Sequence, residues 1–413
     1  MKKIILLLMV LVTTASQAQP VLSTWKQNTN GAVGYNNIPA DVQQVFYSAN
    51  FVYVKCTGIP SYNIGPWAMN PNVPTNQSWV FKITRSPVQN TGTLTTVGGG
   101  QIGVFKNGVV AFNAGDAMSY NNLGIWHRNA YYFEGTGFDT SGGHPAPGGA
   151  YHYHINMTRL YSGNASQHSP LVGYMFDGFP IYGSYAYSNT NGTGGIRRMK
   201  SGYRKRNITA RTTLPDGTVL QASQYGPAIN STYPLGCFYE DWETYSGGDL
   251  DAHNGRIAVT PEYPSGIYAY YLTIDSLGNP EYPYLIGPTY YGVVTAGNAG
   301  PGGGHVTISE TVTQYFPTSV TGNETPVNFT LYQNYPNPFN PETTIKFDLS
   351  KAENVSLKVF DLQGKEVAAL VNEKMNTGSY SVKFNGTNLS SGVYYYTLKT
   401  SESSVTNKML LVK

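Results

Sequence analysis

Gly142-Gly143-His144-Pro145-Ala146-Pro147-Gly148-Gly149-Ala150-Tyr151-His152-Tyr153-His154 is the stretch from which the rest of the chain is best read. Side chains of an extended strand alternate between faces, so His152 and His154 point one way while Tyr151 and Tyr153 point the other. Two imidazoles on one face form a chelating pair. His144 stands eight residues before His152, behind a turn rich in glycine and proline that lets the chain fold back and bring a third imidazole over the strand. Three of the seven histidines thus fall within eleven residues. Imidazole is a common metal ligand, so this concentration marks a candidate site for a divalent transition metal. The competing reading is a stacked, hydrogen-bonded patch of histidine and tyrosine.

The composition frames that site. A chain of 413 residues with 40% hydrophobic residues is long enough for two or three domains with sizeable cores. Charged residues are only 12%, while 34 Tyr, 46 Gly and 25 Pro predict short strands, turns and long ordered loops. The fold class expected is all-β. A net charge of +3 on this length gives no reason to expect nucleic acid or an anionic membrane as partner. Met1-Lys2-Lys3, the apolar run Ile4 to Val12 and the small residues of Ser16-Gln17-Ala18 read as a signal peptide over residues 1–18. Export places Cys56 and Cys237 where disulfides persist, so the two are expected to pair.

In chain order, Val45-Phe46-Tyr47, Phe51-Val52-Tyr53-Val54 and Trp79-Val80-Phe81-Lys82-Ile83 predict strands. Asn107-Gly108 between two apolar runs predicts a hairpin across Gly103–Phe112. His127 after Ile125-Trp126 reads as a packed residue and His168 as a loop residue. Asp177, before Gly178 at the end of an apolar run, suits a turn former or a partner of the histidines equally. The basic cluster from Arg197 to Arg206 reads as a solvated hairpin, or else as a grip for an anion. Asp249, Asp251 and His253 alternate at a spacing of two before Asn254-Gly255-Arg256, and this is the segment expected to complete the metal site, with Asp251 and His253 as ligands and Asp249 and Arg256 lining it beside Tyr151 and Tyr153. An EF-hand is excluded there, because glycine comes one position late and the twelfth position is Thr260. His305 behind Gly302-Gly303-Gly304 is a further candidate ligand.

The tetrapeptide Tyr151-His152-Tyr153-His154 resembles the signature of the bacterial YHYH domain proteins. Gly58-Ile59-Pro60, Gly173-Tyr174-Met175-Phe176-Asp177-Gly178-Phe179-Pro180-Ile181-Tyr182-Gly183, His253-Asn254-Gly255-Arg256 and Thr260-Pro261-Glu262-Tyr263-Pro264 carry the likeness across roughly residues 50–310. Members often have cysteines close to the histidines, whereas this chain has Ser141 and Thr158 there, so a thiolate ligand is excluded. The resemblance gives a domain and a site location but no reaction. Residues 316–327 read as a linker between a β-rich domain of residues 19–315 and a segment of residues 328–413. That last segment, with Asn334-Tyr335-Pro336-Asn337-Pro338-Phe339-Asn340-Pro341 and alternating strands, fits a small Ig-like β-sandwich. It resembles the type A C-terminal sorting domain of the type IX secretion system. The resemblance implies an extracellular or outer-surface location, the type IX machinery as partner, and anchoring to surface lipopolysaccharide.

Gly-x-Ser-x-Gly, Gly-x-x-x-x-Gly-Lys-Ser/Thr and His-Glu-x-x-His are all absent. Three functions remain: a metal-dependent enzyme, a glycan-binding or adhesive module in which the histidines only order a loop, and a metal-binding surface protein without turnover.

Overall fold

Asn107-Gly108 turns the chain as its sequence demands. Gly108 adopts φ +78°, and a Cβ there would meet the Cβ of Cys56 at 2.5 Å, so glycine is required on both counts. The computed structural model describes residues 19–157, 159–161, 163–317, 329–349, 352–376, 378–401 and 403–413. The expected signal peptide lies outside them, as does the expected linker apart from Phe316 and Pro317. The chain divides into two compact units, the first holding Val33–Tyr315 and the second Phe316–Lys413.

In the first unit a short helix α1 (Pro20–Ser23) precedes strands β1 (Val42–Tyr47), β2 (Phe51–Cys56) and β3 (Trp79–Thr84), which form a four-stranded sheet with β18 (Thr313–Tyr315) in the order β18-β1-β2-β3. The central sheet has eight strands: β4 (Gln101–Phe105), β5 (Val110–Phe112), β8 (Gly143–Pro145), β9 (Tyr151–Tyr153), β10 (Leu171–Met175), β11 (Pro180–Tyr182), β16 (Gly255–Ala258) and β17 (Ile267–Tyr271), in the order β16-β17-β11-β10-β4-β5-β9-β8. Short ribbons pair β6 (Gly115–Ser119) with β7 (His127–Asn129), β12 (Tyr185–Tyr187) with β13 (Ile196–Arg198), and β14 (Tyr203–Lys205) with β15 (Trp242–Thr244). The helix α2 (Ala130–Phe133) follows β7 directly. Among the described residues no α-helix exceeds four residues, and none is long and apolar enough to cross a membrane.

Both faces of the eight-stranded sheet are buried. Val104, Val110, Tyr174, Tyr182 and Tyr271 pack with Val45, Val52, Trp79 and Phe81 of the smaller sheet, whereas Phe105, Ala111, Met175, Ile181 and Tyr270 face a second core filled by Tyr284, Leu285 and Tyr290. Many of the tyrosines are therefore core material. A hydroxyl carried inside needs a partner, and most have one: Tyr270 donates to Asp177 at 2.6 Å and Tyr290 to the Ile102 carbonyl at 2.9 Å.

The second unit stacks the sheet β19-β20-β23 (Thr330–Leu331, Glu342–Leu349, Gly378–Asn385) against β22-β21-β24-β25 (Glu366–Met375, Glu353–Phe360, Gly392–Lys399, Ser404–Leu411). Period-two burial in β20 and β21 feeds one core of Ile345, Phe347, Val355, Leu357, Tyr396 and Leu411. The all-β expectation holds for both units.

The expected disulfide does not form. Cys56 packs in the core beneath the smaller sheet, whereas Cys237 belongs to a separate cluster with Trp126, Leu220 and Phe238, so each thiol is enclosed by its own apolar surroundings. Cys237 is fixed there by the buried Arg211–Asp241 pair, whose Nε–Oδ1 and Nη2–Oδ2 contacts measure 2.7 and 2.8 Å. Burial pushes both thiols up to about 12, which makes them poor nucleophiles in the folded protein. Thiol titration of the unreduced protein is expected to find two reactive groups per chain in denaturant and almost none in native buffer. Arg211→Met, which strands Asp241 as an unpaired buried charge, is expected to cost roughly 3–5 kcal/mol by denaturant unfolding.

Candidate functional site

The cross-strand register builds the site. β8 and β9 are antiparallel with His144 directly opposite His152, and β9 runs parallel to β5 with Val110 opposite His152. Register partners share a face, so the two imidazoles become neighbours with ring centroids 4.5 Å apart. The hairpin between them closes through Gly148 and Gly149, at φ +86° and +82°. Gly143 allows the strands to meet, since a Cβ there would lie 2.6 Å from the Tyr151 ring and 2.8 Å from the His152 carbonyl.

On the opposite face Tyr151 and Tyr153 anchor the strand. The Tyr151 hydroxyl donates to Asp139 Oδ2 at 2.8 Å, and the Tyr153 hydroxyl bonds that of Tyr62. Asp139 also accepts from the backbone N–H groups of Gly65, Ser141 and Gly143 at 2.8, 2.8 and 3.2 Å, so one carboxylate ties three segments to the back of the histidine strand.

The ring nitrogens carry the chemical content. His152 Nδ1 lies 3.0 Å from the Ala150 carbonyl and His154 Nδ1 lies 2.6 Å from the Asn113 carbonyl. A carbonyl only accepts, so both Nδ1 atoms hold the proton and both neutral rings present a bare Nε2. Those two Nε2 atoms face each other at 2.9 Å. His144 differs. Its Nδ1 is 3.3 Å from the Asn70 amide nitrogen, whose orientation is set by Asn72 N–H donating to Asn70 Oδ1, so in this arrangement the His144 proton sits on Nε2. To join the others through Nε2, His144 must switch tautomer while the Asn70 amide turns away.

All three rings are buried, at 6%, 2% and 2% exposure, with Phe112 stacked on His152 at 3.8 Å and Phe138 on His154 at 5.9 Å. Burial pushes His144 down to about 4 and His154 down to about 3, and holds His152 well below its usual value, so the cluster is uncharged at neutral pH. Glu134, at the end of α2, places Oε2 3.4 Å from His154 Nε2 and 3.7 Å from His144 Nε2. Neither Glu134 Oε2 nor His144 Nε2 has a hydrogen-bond partner. Burial, aided by the nearby Asp116, raises the Glu134 carboxyl to about 7. Among the described residues His144, His152 and His154 form the one group with metal-ligand geometry, their candidate atoms lying within 4.8 Å of one another.

The other expected site residues lie elsewhere. Asp251 accepts from the N–H groups of His253 and Gly255 and from the Tyr268 hydroxyl, and His253 Nδ1 is 2.9 Å from the Thr289 carbonyl; the spacing that resembled a ligand run is a turn closed by an aspartate side chain. Asp249 pairs with Arg197, Arg256 donates to the Tyr187 carbonyl, and Asp177 is enclosed by Tyr270, Phe179 and Gly292. His305 is an exposed residue bridged to Val80. Glu134 was missed, because nothing in Ala130-Tyr131-Tyr132-Phe133-Glu134 ties an acid to histidines ten and twenty residues further on.

Residues 80–281 match the family described as YHYH protein, and residues 333–413 match the secretion system C-terminal sorting domain. The chain carries a YHYH domain followed by a secretion sorting domain. The match to the YHYH family begins beyond Gly58–Pro60 and ends before His305, yet includes the whole histidine cluster and Glu134. No curated protein matches the chain. Among solved structures, domains 4 and 5 of the S-layer protein SbsC are 13% identical, covering 52% of this chain and 98% of that one at a TM-score of 0.15. PorZ of Porphyromonas gingivalis, described as an essential bacterial surface component of the type-IX secretion system, is 12% identical, covering 89% of this chain and 59% of that one at 0.16. At such scores neither likeness carries an argument. Within the YHYH domain, Asp139→Ala is expected to cost at least about 2 kcal/mol in denaturant unfolding, because four donors lose a charged acceptor, and Tyr151→Phe about 1 kcal/mol.

Proposed function

We propose that the chain is exported by the type IX secretion system to the outer cell surface, where its YHYH domain binds a divalent transition metal through His152 and His154, with His144 as third ligand and Glu134 beside them. The approach of two bare Nε2 atoms to 2.9 Å carries this reading. Two lone pairs at that separation repel, and only a cation between or beside them turns the contact favourable. A proton is a poor candidate, since burial disfavours an imidazolium on either ring. A metal ion uses the lone pairs the backbone carbonyls have already aimed, and the carbonyl partners of both Nδ1 atoms orient the ligands as metal-bound imidazoles require. His144 Nε2 and Glu134 Oε2, buried without partners, fit the same ion. A bound ion would supply Lewis acidity, and the Glu134 carboxyl would stand beside it, 3.4 Å from His154 Nε2.

A glycan-binding module needs exposed aromatic stacking faces, and Tyr151, Tyr153, Tyr174, Tyr182, Tyr270, Tyr271, Tyr284 and Tyr290 are buried and offer none. Ligand types alone leave zinc, copper, nickel, manganese and iron open. Attachment to surface lipopolysaccharide after sorting rests only on the sorting-domain resemblance.

Elemental analysis is expected to find about one metal ion per chain, lost in His152→Ala/His154→Ala and retained in His168→Ala. Adding that metal to the apo protein at a hundredfold excess over the dissociation constant is expected to raise unfolding stability by about 2.7 kcal/mol. Full metal content in the double variant returns the histidines to an aromatic packing role. Deletion of residues 328–413 is expected to hold the chain in the periplasm with the first unit folded, as cell fractionation and protease resistance would report; surface delivery of the truncated chain refutes the export route.

A further inference from the structure

A cleft of about 820 Å³ opens onto the histidine cluster, and its wall carries one more imidazole, His127. Glu240 grips that residue twice, with Oε1 2.7 Å from Nδ1 and Oε2 accepting from the backbone N–H at 2.8 Å. Since a carboxylate accepts, Nδ1 holds a proton and Nε2 is the ring's other nitrogen, which donates to an anion when the ring is protonated. The burial of the pair is unequal: the Glu240 side chain is 14% exposed and that of His127 49%. A solvated surface pair would expose both partners, whereas here a sheltered carboxylate fixes the orientation of an imidazole that remains open to the cleft. The Glu240 hydrogen bond also raises the His127 imidazole above its ordinary value. The Tyr239 ring lies 6.3 Å from that of His127.

The remaining polar groups of the wall are largely engaged. Asn70 and Asn72 donate to the Pro145 carbonyl, and Asn113 spans the Gly98 carbonyl and the Gly115 N–H. Beside the cluster with Glu134, the wall carries His127, the Asp116–Arg128 ion pair and the Tyr239 hydroxyl, which has no hydrogen-bond partner. We propose that the cleft takes a small molecule with an oxygen anion at each end, one end at the metal-loaded histidine cluster and the other accepting the Nε2–H of a protonated His127 imidazole, with Glu240 as the positioning residue. A dicarboxylate is the simplest such ligand. This inference rests on the metal reading above.

Succinate and acetate separate the two ends, because both offer a carboxylate to the ion and only succinate has a second to reach His127. Cobalt(II)-loaded protein, titrated with each and followed by its visible spectrum, is expected to bind succinate roughly tenfold or more tightly than acetate, the gain of one charge-assisted hydrogen bond. His127→Gln is expected to abolish that preference while leaving acetate affinity unchanged. Glu240→Gln, which keeps the imidazole but loosens it, is expected to fall between, and it serves as the test should His127→Gln fail to fold. Equal wild-type affinities, a preference that survives in His127→Gln, or parallel weakening of both anions overturns the proposal. A wild type that takes up no cobalt instead overturns the metal reading, and this inference falls with it.

Discussion

The close approach of Gly143 to the Tyr151 ring and the His152 carbonyl is the constraint on which the site depends. Any side chain at Gly143 would collide with the Tyr151 ring and the His152 carbonyl, so the residue that permits the strand pair is the one beside His144. The consequence is a division of labour along β9. Its tyrosines spend their hydroxyls on Asp139 and Tyr62 in the core, and its histidines spend their Nδ1 protons on fixed carbonyls, leaving bare nitrogens on the other face. Rigidity on one face fixes the direction of the nitrogens on the other. The stacking of Phe112 and Phe138 completes the enclosure by keeping water from screening the cluster.

Much of this was legible in the sequence, and the divide between what was and was not is physical. Local rules carried the hairpin at Asn107-Gly108, the strands around Val45, Val52 and Phe81, and the shared face of His152 and His154, because turn chemistry and side-chain alternation are set by neighbours in the chain. Glu134 reaches the cluster through the placement of α2, which no local pattern encodes. Asp249, Asp251 and His253 show the reverse failure. Their alternate spacing suited ligands, yet aspartate near glycine is at least as well suited to capping a turn, and Asp251 does so. The thiols failed for a third reason: an oxidising compartment permits a disulfide, but two separate apolar clusters hold Cys56 and Cys237 apart. The ten-residue strand Glu366–Met375 of the sorting domain also passed unread, because only its middle, Val367 to Val371, is apolar and its two ends are charged.

The aromatic content illustrates how composition misleads about surfaces. A high tyrosine content alone would suit exposed stacking faces, but a sheet buried on both sides needs large side chains on both, and tyrosine fills that volume when each hydroxyl finds an acceptor. Polar acceptors such as Asp177 and Asp139 are therefore part of the packing, as much as the rings are.

The parallel pairing of β5 with β9 has a kinetic meaning. Parallel neighbours cannot be joined by a tight turn, and Val110 meets His152 only after the intervening segment, with β6, β7, α2 and β8, has looped out and returned. The entropy of closing that loop comes before any reward from the contact, so the pairing belongs to the slow, late part of folding. The histidine cluster is accordingly absent from the unfolded and early collapsed chain. An ion that binds it reads out completed topology, and selects the finished domain over every precursor.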